Sequence, residues 1–296
     1  MCLFSDSRLV GDLSRKIMVP THLLRKIVIS KQKSILLVCW LSFFASCSFA
    51  NENLHSGFDS LLRKHVITID NGASTQVDYA GFMRDKPLLD DYLSELAKVE
   101  QTTFDSWSDN HQLAFLINAY NAHTIALILT EYPDITSIRD LGSFFSSPWK
   151  KEIAPLLGEI RTLDDIEHNL IRGDNKYQEP RIHFAVNCAS IGCPALREES
   201  YTGDKLETQL QEQTQRFLAD KTRNYLLDDT LYLSKIFSWY GDDFEQGWQG
   251  AHSIEAFIGL YRDALELSEM QANKLISGDM SISFNEYDWR LNDITQ

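Results

Sequence analysis

The sequence contains no glycine-rich phosphate loop, no dinucleotide fingerprint and no paired-histidine helix motif. The usual sequence support for nucleotide binding and zinc-protease chemistry is therefore missing. No segment repeats at a period of 20–50 residues, which excludes solenoid and propeller architectures. With seven Pro and fourteen Gly spread over 296 residues, no low-complexity linker divides the chain, so one domain is expected. Positive charge is scarce. The 28 Lys and Arg face 42 Asp and Glu, a formal net charge of −14. Residues 1–50 carry Arg8, Arg15, Lys16, Arg25, Lys26, Lys31 and Lys33 against Asp6 and Asp12, a local +5 that leaves −19 for the remainder. Acidity of that order repels nucleic acid and anionic headgroups, and no nucleic-acid partner is expected. Cysteine is scarce as well, with five in all, three of them (Cys2, Cys39, Cys47) before residue 51.

Apolar material is plentiful. Hydrophobic residues are 44% of the chain and include six Trp and sixteen Phe, enough for a sizeable core. Lys31 and Lys33 lead into an apolar run of about a dozen residues that ends in small residues at Ser48 and Ala50. This pattern predicts a secretory signal peptide over residues 1–50, removed to leave a mature domain over 51–296. The run is short for a spanning helix, which needs roughly 20 residues, so no stable membrane span is expected after cleavage. Met18 is an alternative start. Lipidation at Cys47 is the lesser alternative, because Phe44 stands where Leu is expected. The predicted location is exported, periplasmic or secreted.

The mature chain reads as a helix-rich α+β fold: a single compact domain with a central buried helix and small antiparallel hairpins. Residues 58–64 and 88–99 have helical spacing. Residues 112–131, capped by Ser108 or Asp109 and stopped by Pro133, are apolar nearly all round and predict a buried helix. Asn118 and Asn121 share one face of it, with His111 two turns earlier, and buried amides must be bonded. They stitch the core to a neighbouring loop or line a site. Hairpins are expected at 66–79, 152–161 and 225–234. Further helices are expected at 162–172, 206–218, 236–244, 254–261 and 266–275. Residues 181–186 read as a buried strand, followed by a turn-rich segment to Pro194, and 282–289 as a closing strand.

Chemistry-bearing residues concentrate between Glu167 and Cys193, a span that holds His168, His183 and both cysteines of the mature chain. The strings Leu163-Asp-Asp-Ile-Glu-His-Asn-Leu-Ile-Arg172 and Pro180-Arg-Ile-His-Phe-Ala-Val-Asn-Cys-Ala-Ser-Ile-Gly-Cys-Pro194 resemble the signature of the domain of unknown function 547 family. Ala114-Phe-Leu-Ile-Asn-Ala-Tyr-Asn121, Lys235-Ile-Phe-Ser-Trp-Tyr-Gly-Asp-Asp-Phe244 and Tyr287-Asp-Trp-Arg-Leu-Asn292 match its pattern too. His111 departs from an expected acidic residue and Leu116 from a common Trp. The resemblance implies an exported bacterial-type domain and carries no settled activity.

Three readings of the cluster follow. In the first, the Cys188 thiolate attacks a carbonyl with His183 or His168 as base, Glu167 as orienter and the Asn118 amide at the oxyanion, giving a hydrolase or acyl-transfer enzyme. His183 reaches Cys188 only if the strand ends by Asn187 and the chain turns; otherwise His168, delivered from the helix, is the better base, or Cys193 the better nucleophile. In the second, Cys188 and Cys193 form a disulfide, the default for two cysteines in an oxidising compartment, and the domain is a binding or structural module. In the third, His168, His183, Cys188 and Cys193 hold zinc, although the spacing is loose for such a site. Asp243 is a candidate partner for His183 or His168. No cofactor is expected, and the partner is a small molecule, a peptide or an envelope ligand.

Overall fold

A helix with no polar face is stable only where other elements enclose it. Asp109–Leu129 is such a helix. It follows Ser108 in extended backbone and carries Asp109 in its first turn, where a negative charge suits the helix dipole. By length and composition it is apolar enough to cross a bilayer, yet 94% of its apolar window is buried inside the protein. It is a core helix, as expected. The computed structural model describes residues 54–143 and 146–294. The expected leader, and with it Cys47, lies outside the described residues.

Helices Ser56–His65 and Lys86–Ala97 bury Phe58, Leu61, Leu62, Leu89, Tyr92 and Leu96 in the same apolar cluster as the central helix. The Phe58 and Tyr92 rings stack at 4.9 Å. Each fully buried side chain of this kind contributes about 1.5–3 kcal/mol. A second cluster gathers Phe184, Phe217, Phe237, Phe244 and Phe257, supplied in part by helices Leu206–Ala219 and Ile254–Leu260.

The sheets are small. β1 (Val66–Ile69) pairs antiparallel with β2 (Ser74–Val77), and β3 (Ala154–Leu156) with β4 (Glu159–Arg161). Leu157 and Gly158 both take positive φ at the second turn, the backbone that a two-residue hairpin requires. β5 (Tyr225–Leu227) and β6 (Thr230–Leu233) form the third hairpin.

Two strand expectations are corrected. The closing strand is only β7 (Ser281–Phe284), and it lies parallel to β6. Its crossover runs through helices Ile254–Leu260 and Glu269–Ile276, as a parallel connection requires. The expected strand at 181–186 is instead a 3₁₀ helix, Pro180–Phe184. Pro180 opens it, and the Glu179 side chain accepts from the Arg181 N–H. The buried Arg181 guanidinium is held by Glu179 and Glu207 and lies over Trp248 at 4.6 Å. A short apolar run does not reveal its own period. The turn sends Ile182 into the first cluster and Phe184 into the second, so the segment joins the two cores.

Two buried imidazoles, His123 on the central helix and His55 just before helix Ser56–His65, bear on stability. Burial lowers His123 to a pKa of about 4, and burial, with a further push from His111, lowers His55 to about 3. The unfolded chain takes up protons on these rings near pH 6.5, before the folded protein does. Folding stability from the two rings is therefore complete above about pH 6.5 and declines as pH falls toward 4 and then 3. The melting temperature of the mature protein will drop steadily from pH 7 to pH 4, and His123→Asn will reduce that slope. A flat profile across this range would contradict the assignment.

Candidate functional site

The site is built from three segments on one side of the central helix. The first begins at Thr162, whose hydroxyl accepts from the Asp165 N–H and caps a short turn, Leu163–Asp165. The chain then widens into a π-helix, Ile166–Ile171, with the Arg172 N–H bonded to the Glu167 carbonyl at 3.1 Å. Such widened turns are rare and frequently sit at functional sites. Here Glu167 is buried, 6% exposed, while His168 stays partly open next to Asp164 at 3.5 Å.

The second segment is the 3₁₀ turn carrying His183. Its Nε2 lies 2.7 Å from Asp243 Oδ2, and its ring stacks on Tyr240 at 4.0 Å. Arg172 grips the same carboxylate at 2.6 and 3.1 Å and bonds His168 Nδ1 at 2.6 Å. Partial burial opposes ionisation of Asp243, but the hydrogen bonds from His183 and Arg172 outweigh it and hold the carboxyl well below its usual range. Burial lowers the His183 pKa, against the pull of Asp243, so the ring is neutral at pH 7. An ionised carboxylate only accepts; His183 Nε2 is therefore the protonated nitrogen and Nδ1 keeps the lone pair. The Glu167 carboxylate accepts from the Tyr240 hydroxyl at 2.8 Å, and its charge also bears on the Tyr120 phenol. Burial first, and then Glu167, push both phenols well above their ordinary pKa, so both remain donors.

The third segment is the cysteine loop. Asn121 fixes its start: Oδ1 accepts from the Asn187 N–H at 2.8 Å, and Nδ2 donates to the Ala185 carbonyl at 3.0 Å. Asn187 in turn donates to the Pro194 carbonyl and accepts from the Ala189 N–H, closing the loop on itself. Cys188 and Cys193 are joined by a disulfide. The C-terminal segment runs alongside through Ile191 N–H to Arg290 O and Gly192 N–H to Asp288 O, both 2.8 Å. A Cβ at Gly192 would stand 3.0 Å from the Asp288 nitrogen and the Tyr287 ring, which explains glycine at that contact. This pairing brings the Tyr287 hydroxyl to 3.0 Å from Cys188 Sγ and 3.2 Å from Cys193 Sγ.

Between the three segments lies a pocket of about 260 Å³, walled by Trp149, Trp239, Tyr240, Tyr287 and Trp289. Glu167, His168, His183 and Cys188 all line it, so four of the five expected site residues converge. Asn118 does not line it. Its carboxamide is paired in both directions with the Tyr201 backbone, at 2.8 and 2.9 Å, and it serves the core rather than an oxyanion. Of the two partners considered for Asp243, His183 holds it directly and His168 only through Arg172. Among the described residues no group of three or more His, Cys, Asp and Glu is placed to hold a metal ion.

Sequence reasoning passed over Tyr120, Trp149 and Arg172, and gave no role to Tyr287 and Trp289. Arg172, Tyr287 and Trp289 lie inside the quoted family strings, and those strings were the available signal. Tyr120 lies inside one of them too, whereas Trp149 offered none.

The geometry defines a class: an aromatic-walled pocket with a buried carboxylate and a disulfide on its rim. Residues 104–218 match the model of the family described as "Protein of unknown function, DUF547", and that segment is similar to it. The matched stretch holds the central helix, the π-helix, His183 and the cysteine loop, while Asp243 and the Tyr287 segment lie beyond it. No curated protein and no solved structure matches the chain.

The tautomer assignment is directly measurable. Nitrogen-15 spectra of the imidazoles at pH 7 will show His183 neutral with its proton on Nε2. In Asp243→Asn the ring will titrate at a still lower pH, because the carboxylate that raises its pKa is gone. A protonated ring at pH 7, or one protonated on Nδ1 alone, would contradict this geometry.

Proposed function

We propose that the domain is a ligand-binding module of the cell envelope, whose pocket takes a small molecule and whose rim is stapled by the Cys188–Cys193 disulfide. The bridged pair carries the reading. A thiol-dependent hydrolase or acyltransferase needs a thiolate, and a sulfur already bonded to another sulfur has none to offer. The pocket supports the binding half: it is concave, largely apolar and ringed by aromatics, with a few converging polar groups, as small-molecule sites are. A disulfide also suits an exported, oxidising location.

One observation favours a second reading, a hydrolase without a cysteine nucleophile. Neutral His183, oriented by Asp243 through Nε2, has the arrangement of a general base that activates water at Nδ1.

The test is the intact mass of the purified mature protein after alkylation without reductant. No adduct is expected on Cys188 or Cys193, and two are expected once the protein is reduced and unfolded. Two adducts without reductant would overturn the staple and restore Cys188 as a nucleophile. The same mass reports the cleavage point.

A further inference from the structure

Glu167 is a buried acid with no cation of its own. Among the described residues it makes no ion pair within 4.0 Å; its hydrogen-bond donor is the phenol of Tyr240. The Arg172 guanidinium feels its charge but bonds Asp243 and His168. A buried carboxylate without a counter-ion is unfavourable unless something in the functional state supplies the charge. The pocket does not supply it. Its described lining includes two acids, Glu167 and Asp164, and neither Lys nor Arg.

The walls suit a cation. Trp239, Tyr287 and Trp289 form one continuous aromatic surface, with ring centroids 4.5 to 5.7 Å apart, and Trp149 meets Trp289 edge-on at 5.8 Å. Ring faces attract ammonium and guanidinium groups, the more so when these are desolvated. Two of the pocket's rings already do so within the protein: Arg172 sits 4.9 Å from the Tyr240 centroid and Arg139 sits 5.3 Å from that of Trp289. The chain as a whole, at −14, draws cations toward its surface.

We infer that the pocket binds a small organic cation, an amine or quaternary ammonium group, seated between Glu167 and the Trp239–Tyr287–Trp289 wall. The inference rests on the ligand-binding reading above and names its ligand class. Choline serves as the probe, with 3,3-dimethylbutan-1-ol as its neutral isostere. Both are titrated into the mature, disulfide-bonded protein at low salt while tryptophan fluorescence is followed, since three tryptophans line the site. Choline is expected to saturate the signal at least about ten-fold more tightly than the alcohol. Glu167→Gln removes that preference without weakening alcohol binding, and Trp239→Ala weakens both.

If Glu167→Gln does not fold, wild-type protein still decides the matter, because the choline-to-alcohol ratio needs no variant. Equal affinity for the two probes overturns the cation assignment and leaves the binding pocket standing. Absence of a saturable response to either probe at millimolar concentration overturns both. A preference for choline that persists undiminished in folded Glu167→Gln overturns the assignment of Glu167 as the counter-ion.

Discussion

A carboxamide buried in an apolar helix must find both a donor and an acceptor, or it destabilises the fold by about 1–3 kcal/mol for each group left unpaired. Asn118 and Asn121 meet this requirement one turn apart on Asp109–Leu129, and both do so with backbone from residues 185–201. That constraint organises the rest. The chain between these two anchors has no regular ladder of its own; it is tied down at Ala185, Asn187 and Tyr201, and the cysteine loop hangs between the ties. The C-terminal segment then pairs with the loop and carries Tyr287 and Trp289 to the pocket.

The polar side of the pocket follows from a different balance. Asp243 serves His183 and Arg172 together, which fixes the tautomer of an imidazole that burial keeps neutral and leaves a half-buried guanidinium paired. Arg172 aims its bonds at Asp243 and His168 rather than at Glu167, whose carboxylate is bonded by the Tyr240 phenol. Aromatic rings and hydroxyls suit a ligand that brings its own positive charge. The disulfide fits this picture as a structural link, because it closes the loop on the pocket rim without adding charge.

Much of the scaffold was legible from the sequence, for reasons that can be named. The central helix announces itself by apolar residues on every face, and the hairpins by Asn71-Gly72 and Gly158. The convergence of Glu167, His168, His183 and Cys188 was legible from their density along the chain. The 3₁₀ turn at Pro180–Phe184 was not, since five residues cannot distinguish a buried strand from a turn that feeds two cores. Nor was the role of Arg172, because its partner Asp243 lies 71 residues away and no local rule selects it. The same separation problem hid Tyr287 and Trp289, whose place is set by pairing with the cysteine loop. Asn118 misled for a physical reason: a buried amide looks the same in sequence whether it serves the core or a site.

Hydrogen exchange at the Asn187 and Tyr201 backbone amides tests the central claim most directly. Both N–H groups are bonded to side chains of the central helix rather than to a strand or helix ladder. If those two contacts hold the pocket loop to the core, both amides will exchange only as slowly as the core helix itself opens. Asn121→Ala will then release Asn187 selectively. Exchange at the pace of exposed loop amides in the unaltered protein would contradict the account, because the loop would then be positioned by something other than the two asparagines.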